Sequence, residues 1–113
     1  MNAIPVSLLD SMFTRYPGHS ITDDVYYQKA RIYQRLGNYQ QAIANLKSLT
    51  ENHGQDVLGD DALFLMAQIY QENLNDAAKA QELFTDLMTQ HPGSMFVVEA
   101  RKRVRKLRGD AVN

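Results

Sequence analysis

The feature that most restricts what this chain can become is a repeat. Tyr33 and Tyr70 stand 37 residues apart, and the pairs Ala42/Ala80, Leu46/Phe84 and Leu49/Leu87 each stand 38 apart. The phase runs backwards too, since Leu9 and Met12 precede Leu46 and Leu49 by 37, and Tyr-Pro-Gly-His-Ser at 16–20 returns as His-Pro-Gly-Ser at 91–94. The 113 residues therefore hold two full units with a half unit on either side. A period in this range is the mark of one supersecondary unit that buries its faces only by stacking on copies of itself.

Inside each unit the apolar spacing is helical. Val25, Ala30, Ile32, Tyr33 and Leu36 make one stripe, and Tyr39, Ala42, Ile43, Leu46 and Leu49 make a second with the rhythm i, i+3, i+4, i+7. Leu63, Met66, Ala67, Ile69 and Tyr70 repeat the first, while Ala77, Ala80, Leu83, Phe84, Leu87 and Met88 repeat the second. No segment alternates with the period of a strand. Ala30 opposite Ala42, and Ala67 opposite Ala80, would let the two helices of a pair approach closely. Tyr33, Leu46, Tyr70 and Phe84 would then fill the space between pairs.

Punctuation agrees with the stripes. Gly37-Asn38 and Asn73-Leu74-Asn75-Asp76 read as turns within pairs, and Pro17-Gly18, Gly54 and Pro92-Gly93 close the units. Ser20 and Asp23 have capping-box spacing, and Asp60-Asp61 places negative charge at the positive end of the next helix. Helices are predicted near 4–15, 23–36, 39–52, 60–73, 76–90 and 95–108. This divides the chain into a second helix left from a preceding half repeat at 1–18, repeats at 19–54 and 55–93, a capping helix at 94–109 and a tail at 110–113.

These positions resemble the tetratricopeptide repeat. The first unit carries the pattern in Tyr26, Ala30, Tyr33, Gly37, Tyr39, Ala42, Leu46 and Leu49, the second in Leu63, Met66, Ala67, Tyr70, Ala80, Phe84, Leu87 and Pro92. Lys29, Gly54 for the closing proline, Leu49 and Leu87 for alanine, and one extra residue in the second turn depart from it. The resemblance implies an all-α, right-handed stack of antiparallel helix hairpins, about six helices long. It further implies a non-enzymatic scaffold that binds a protein or peptide on the concave face formed by the first helices. Those positions are Asp24, Tyr27, Arg31 and Gln34 in one repeat and Asp61, Phe64, Gln68 and Gln71 in the other. Two aromatic rings beside Arg and Gln suit recognition of an extended peptide; the alternative is that Tyr27 and Phe64 pack against neighbouring helices.

Composition narrows the chemistry. The chain has no cysteine, so thiolate nucleophiles, thiolate metal sites and disulfides are excluded. No Gly-x-Ser-x-Gly elbow or phosphate-cradling glycine loop occurs, and no His-x-x-x-His or Glu-x-x-His spacing supports a metal; no cofactor is expected. His53 and His91 share a repeat position with Tyr16, which suits packing at a helix end. The apolar run Ala62 to Ala67 is far too short to span a bilayer. The repeat length and the Tyr-Pro-Gly-x-Ser ending resemble bacterial cell-envelope repeat proteins, which implies periplasm or envelope for an exported protein and cytoplasm otherwise.

Charge is segregated. Residues 1–100 hold six Lys/Arg against twelve Asp/Glu, and residues 101–113 hold six against one. Arg101, Lys102, Arg105, Lys106 and Arg108 leave an apolar stripe of Phe96 or Val97, Ala100, Val104 and Leu107 on the same helix. One reading is a cap for the C-terminal end of a longer array, its last cations facing the helix dipole. The other is an anion-binding surface for nucleic acid or lipid. The acidic body and the lack of interleaved aromatics favour the cap. Nucleic acid is accordingly not expected as a partner, and membrane association is expected only through other parts of a longer chain. Leu8, Leu9, Met12 and Phe13 have no first helix to pair with, so this end is expected to fold back or to form a homodimer.

Overall fold

The computed structural model describes residues 21–53 and 59–109, with the side chains of residues 21–24 and 52–53 excepted. Five helices and no strand occur among them: α1 (Ile21–Arg35), α2 (Tyr39–His53), α3 (Gly59–Glu72), α4 (Ala77–Gln90) and α5 (Val97–Leu107). Their limits fall within two residues of those read from the stripes. The expected helix near 4–15, the Ser20–Asp23 box, Gly54 and the tail lie outside the described residues. The chain divides into two compact units, Met1–Gly59 and Asp60–Asn113.

In the first unit α1 and α2 pack side by side across a turn of three residues. Gly37 makes that turn possible by adopting φ +80, a conformation a Cβ disfavours. The Asn38 N–H then donates to the Tyr33 carbonyl at 2.8 Å and the Gly37 N–H to that of Gln34 at 3.1 Å, the two bonds of a Schellman ending. The second unit closes its turn on the equivalent tyrosine. The Asp76 N–H donates to the Tyr70 carbonyl at 2.8 Å, and Asn75 takes the positive φ of 53. That bond spans one residue more than its counterpart. The longer turn is why the tyrosines repeat at 37 and everything after them at 38.

Packing follows the small residues. Ala30, Ala42, Ala67 and Ala80 have no exposed surface at all, and neither do Leu46, Leu49, Phe84 and Leu87 on the second helices. Each large side chain so buried contributes about 1.5–3 kcal/mol. Tyr33 and Tyr70 are half-buried rather than core residues. Two expected stripe members prove to be outside. Leu36 is 53% exposed because α1 ends at Arg35 and the turn carries it outward; Ala77 is exposed because it opens α4. The stripe read on α3 was also too narrow. Ala62 and Leu65 are buried along with Leu63, Met66, Ala67 and Ile69. At 100° per residue these cover about 200° of the helix, twice the apolar arc of a surface helix.

Candidate functional site

The first-helix rows are placed by helical spacing. On α1, Tyr27, Arg31 and Gln34 at i, i+4 and i+7 share one face, with Arg31 exposed and the other two half-buried. The Asp24 side chain lies outside the described residues. On α3, Asp61, Phe64, Gln68 and Gln71 at i, i+3, i+7 and i+10 also share a face, and all four are half-buried.

Phe64 and Gln71 are engaged within their own unit. The Phe64 ring stacks on Phe96 with centroids 4.6 Å apart and planes 15° from parallel, and it meets Phe84 edge-on at 5.6 Å. The Arg103 guanidinium lies 5.5 Å from the centroid of Phe64 and 5.9 Å from that of Phe84. Its Nη1 donates to Gln71 Oε1 and to Glu72 Oε2, both at 3.0 Å, while Nε donates to Glu99 Oε2 at 3.0 Å. One side chain thus fastens α5 to the last turn of α3. The Phe64 ring packs on Phe96 and Phe84 and stays half-buried.

Arg103 is one of the six basic residues of the C-terminal stretch and is not among the five expected on its basic face. The signal was present: Arg103 stands four residues after Glu99 and seven after Phe96, on the side of α5 that carries Ala100 and Val104, both buried. Arg101, Lys102, Arg105, Lys106 and Arg108 all point outward and are exposed.

A second tie joins the start of α3 to the turn before α5. Ser94 Oγ donates to Asp60 Oδ2 and accepts the Phe96 N–H at 3.1 Å. Asp60 Oδ1 also accepts the Asp61 N–H at 2.9 Å. Burial, and then the neighbouring Asp60 charge, push the Asp61 carboxyl above its ordinary 3.8. Asp76, unremarked in the sequence beyond its place in a turn, caps α4 by accepting the Lys79 N–H at 3.1 Å. His91 ends α4, its N–H donating to the Leu87 carbonyl at 2.8 Å, with Nε2 buried and without a hydrogen-bond partner. Among the described residues no three His, Asp or Glu side chains gather as a metal site would require, and no helix is long and apolar enough to cross a membrane.

Two helix pairs, each turned on a tyrosine carbonyl and closed by buried alanines, define a helical-repeat protein. Two family models described as tetratricopeptide repeat match residues 23–52 and 61–94, together more than half of the chain. The chain belongs to the tetratricopeptide-repeat proteins, whose repeats generally mediate protein–protein interaction and typically have no enzymatic activity. No curated protein matches it by sequence.

Proposed function

We propose that the chain is a protein-binding scaffold without catalytic activity of its own, and that first-helix side chains contact an extended peptide of the partner. The observation that carries this reading is a row of polar and aromatic side chains kept off the core on the first helices. On α1, Arg31 is exposed on one face with half-buried Tyr27 and Gln34, while Val25 and Ile32 of the same helix are buried. On α3 the corresponding contacts fall to Gln68 and Asp61, because the Phe64 ring and Gln71 serve the attachment of α5. Amide and guanidinium groups at these positions would hydrogen-bond a peptide backbone or carboxylate, with the Tyr27 ring adding apolar area.

The test is a peptide-display selection on the purified chain, followed by titration of enriched peptides against Arg31→Ala, Gln34→Ala and Gln68→Ala. At least one of the three is expected to weaken binding tenfold or more, about 1.4 kcal/mol. Enriched peptides that bind all three variants as tightly as the parent would overturn the assignment.

A second reading rests on the Arg103 attachment: α5 closes the C-terminal end of a longer repeat array. Its outward polar face and inward Phe96, Ala100 and Val104 support that reading.

A further inference from the structure

α5 is divided more sharply than a cap requires. Measured around the helix at 100° per residue, Ala100, Val104, Leu107 and Arg103 occupy the inward half. The outward half carries Val98, Arg101, Lys102, Arg105 and Lys106, and Met95 lies in the turn just before the helix. Met95 is 85% exposed and Val98 69% exposed, and the four cations are exposed as well. No acidic residue stands on that half, since Glu99 lies at its edge and is held by Arg103 at 3.0 Å.

The arrangement costs helix stability. Arg101 and Arg105, and Lys102 and Lys106, are like-charged pairs at i, i+4, which repel where opposite charges would attract. The dipole at the C-terminal end accounts for cations in the last turn, here Arg105 and Lys106. It does not account for Arg101 and Lys102 in the middle of the helix. Solubility is served by mixed charges equally well. A single-sign face with two bare aliphatic side chains at one end therefore calls for an anionic occupant that also accepts a methyl group.

We propose that the outward face of α5 docks on an anionic lipid bilayer, with Lys102, Arg105, Arg101 and Lys106 among the headgroups and Met95 and Val98 at the acyl boundary. The face is convex and about 16 Å long from its 11 residues, so it offers a partner chain no groove, whereas a plane of headgroups reaches both ends at once. Nucleic acid would satisfy the charges but gives Met95 and Val98 nothing to contact, and the outward half has no aromatic ring for base stacking.

The experiment is co-sedimentation of the full chain with vesicles of phosphatidylcholine alone, or of phosphatidylcholine mixed with phosphatidylglycerol, at low and high salt. Binding to the mixed vesicles only, released by salt, is expected. Each Lys or Arg near such a surface adds about fivefold to partitioning, so Lys102→Gln/Arg105→Gln is expected to weaken it about 25-fold. Met95→Ser/Val98→Ser is expected to weaken it severalfold at unchanged salt dependence. All four positions are exposed, and unchanged helicity by circular dichroism confirms that the variants are folded. Three results would overturn the proposal: no sedimentation with mixed vesicles, equal sedimentation with both kinds, or binding indifferent to the Lys102/Arg105 pair. Retention on duplex DNA without vesicle binding would overturn it in favour of a nucleic-acid surface. None of these outcomes touches the peptide-binding reading, which concerns α1 and α3.

Discussion

Arg103 gathers two ion pairs, an amide hydrogen bond and two ring contacts on one side chain. Its side chain is 21% exposed while its partners Glu72 and Glu99 are 53% and 44% exposed, so each ion pair alone is a surface pair of modest worth. Two such pairs and contact with two ring faces together amount to about 1.5–2.5 kcal/mol. Arg103→Ala is expected to lower the urea-denaturation stability by that much, and Arg103→Lys to recover less than half, because an ammonium cannot present two donors in one plane. An Arg103→Ala chain as stable as the parent would show the pairs to be ornamental. Asp61 makes a prediction about pH. Its raised pKa means that the folded state holds the proton more tightly than the unfolded one, so this group favours folding less as pH rises through the window just above 3.8. Relative to the parent, Asp61→Asn is therefore expected to gain stability across that window and to keep the gain above it. The helix N-terminus, which favours negative charge at Asp61, keeps the gain small. A difference between the two proteins that does not vary with pH would contradict this.

At the scale of elements, glycines of one repeat protein behave in opposite ways. Gly37 needs φ +80 although nothing crowds it, so Gly37→Ala is expected to cost about 1 kcal/mol or more from backbone strain alone. Gly93 has open space and no positive φ, so Gly93→Ala is expected to be neutral or to add about 0.4–1 kcal/mol by stiffening the unfolded chain. Thermal melts of the two variants check both signs. The helix stripes and turns were legible in the sequence because alanines and tyrosines recur at fixed phase, and because Gly37 and the Asn-Leu-Asn-Asp run interrupt the helical rhythm. What escaped was of two kinds. Ala62 and Leu65 fall outside the expected stripe because a helix covered over about 200° has no single stripe to read. The ties made by Arg103 and Ser94 escaped because each joins residues more than 30 apart, and sequence spacing reports only neighbours on one element. The Phe64 ring was legible as a first-helix aromatic, yet its partner Phe96 belongs to the helix after the repeat.

At the scale of the whole molecule, charge is divided between two regions of sequence. Its net charge of −1 conceals a body of −6 and a C-terminal stretch of +5, and the structure gathers the cations of that stretch on the outward half of α5 while turning Arg103 inward. Attachment of α5 depends on the ring stack as well as on charge. Phe84 is fully buried and edge-on to Phe64, so Phe84→Ala is expected to cost about 3–5 kcal/mol and to melt the second unit, seen as loss of helicity at temperatures where the parent is folded. Surface changes on α1 should leave folding untouched, which makes them the cleaner probe of function. The measurement that bears most directly on the scaffold reading is therefore titration of display-selected peptides against a chain carrying both Arg31→Ala and Gln34→Ala, with its helicity matched to the parent. A loss of tenfold or more in affinity, about 1.4 kcal/mol, is expected at unchanged stability. Undiminished binding by the double variant, together with undiminished binding by Gln68→Ala, would contradict it.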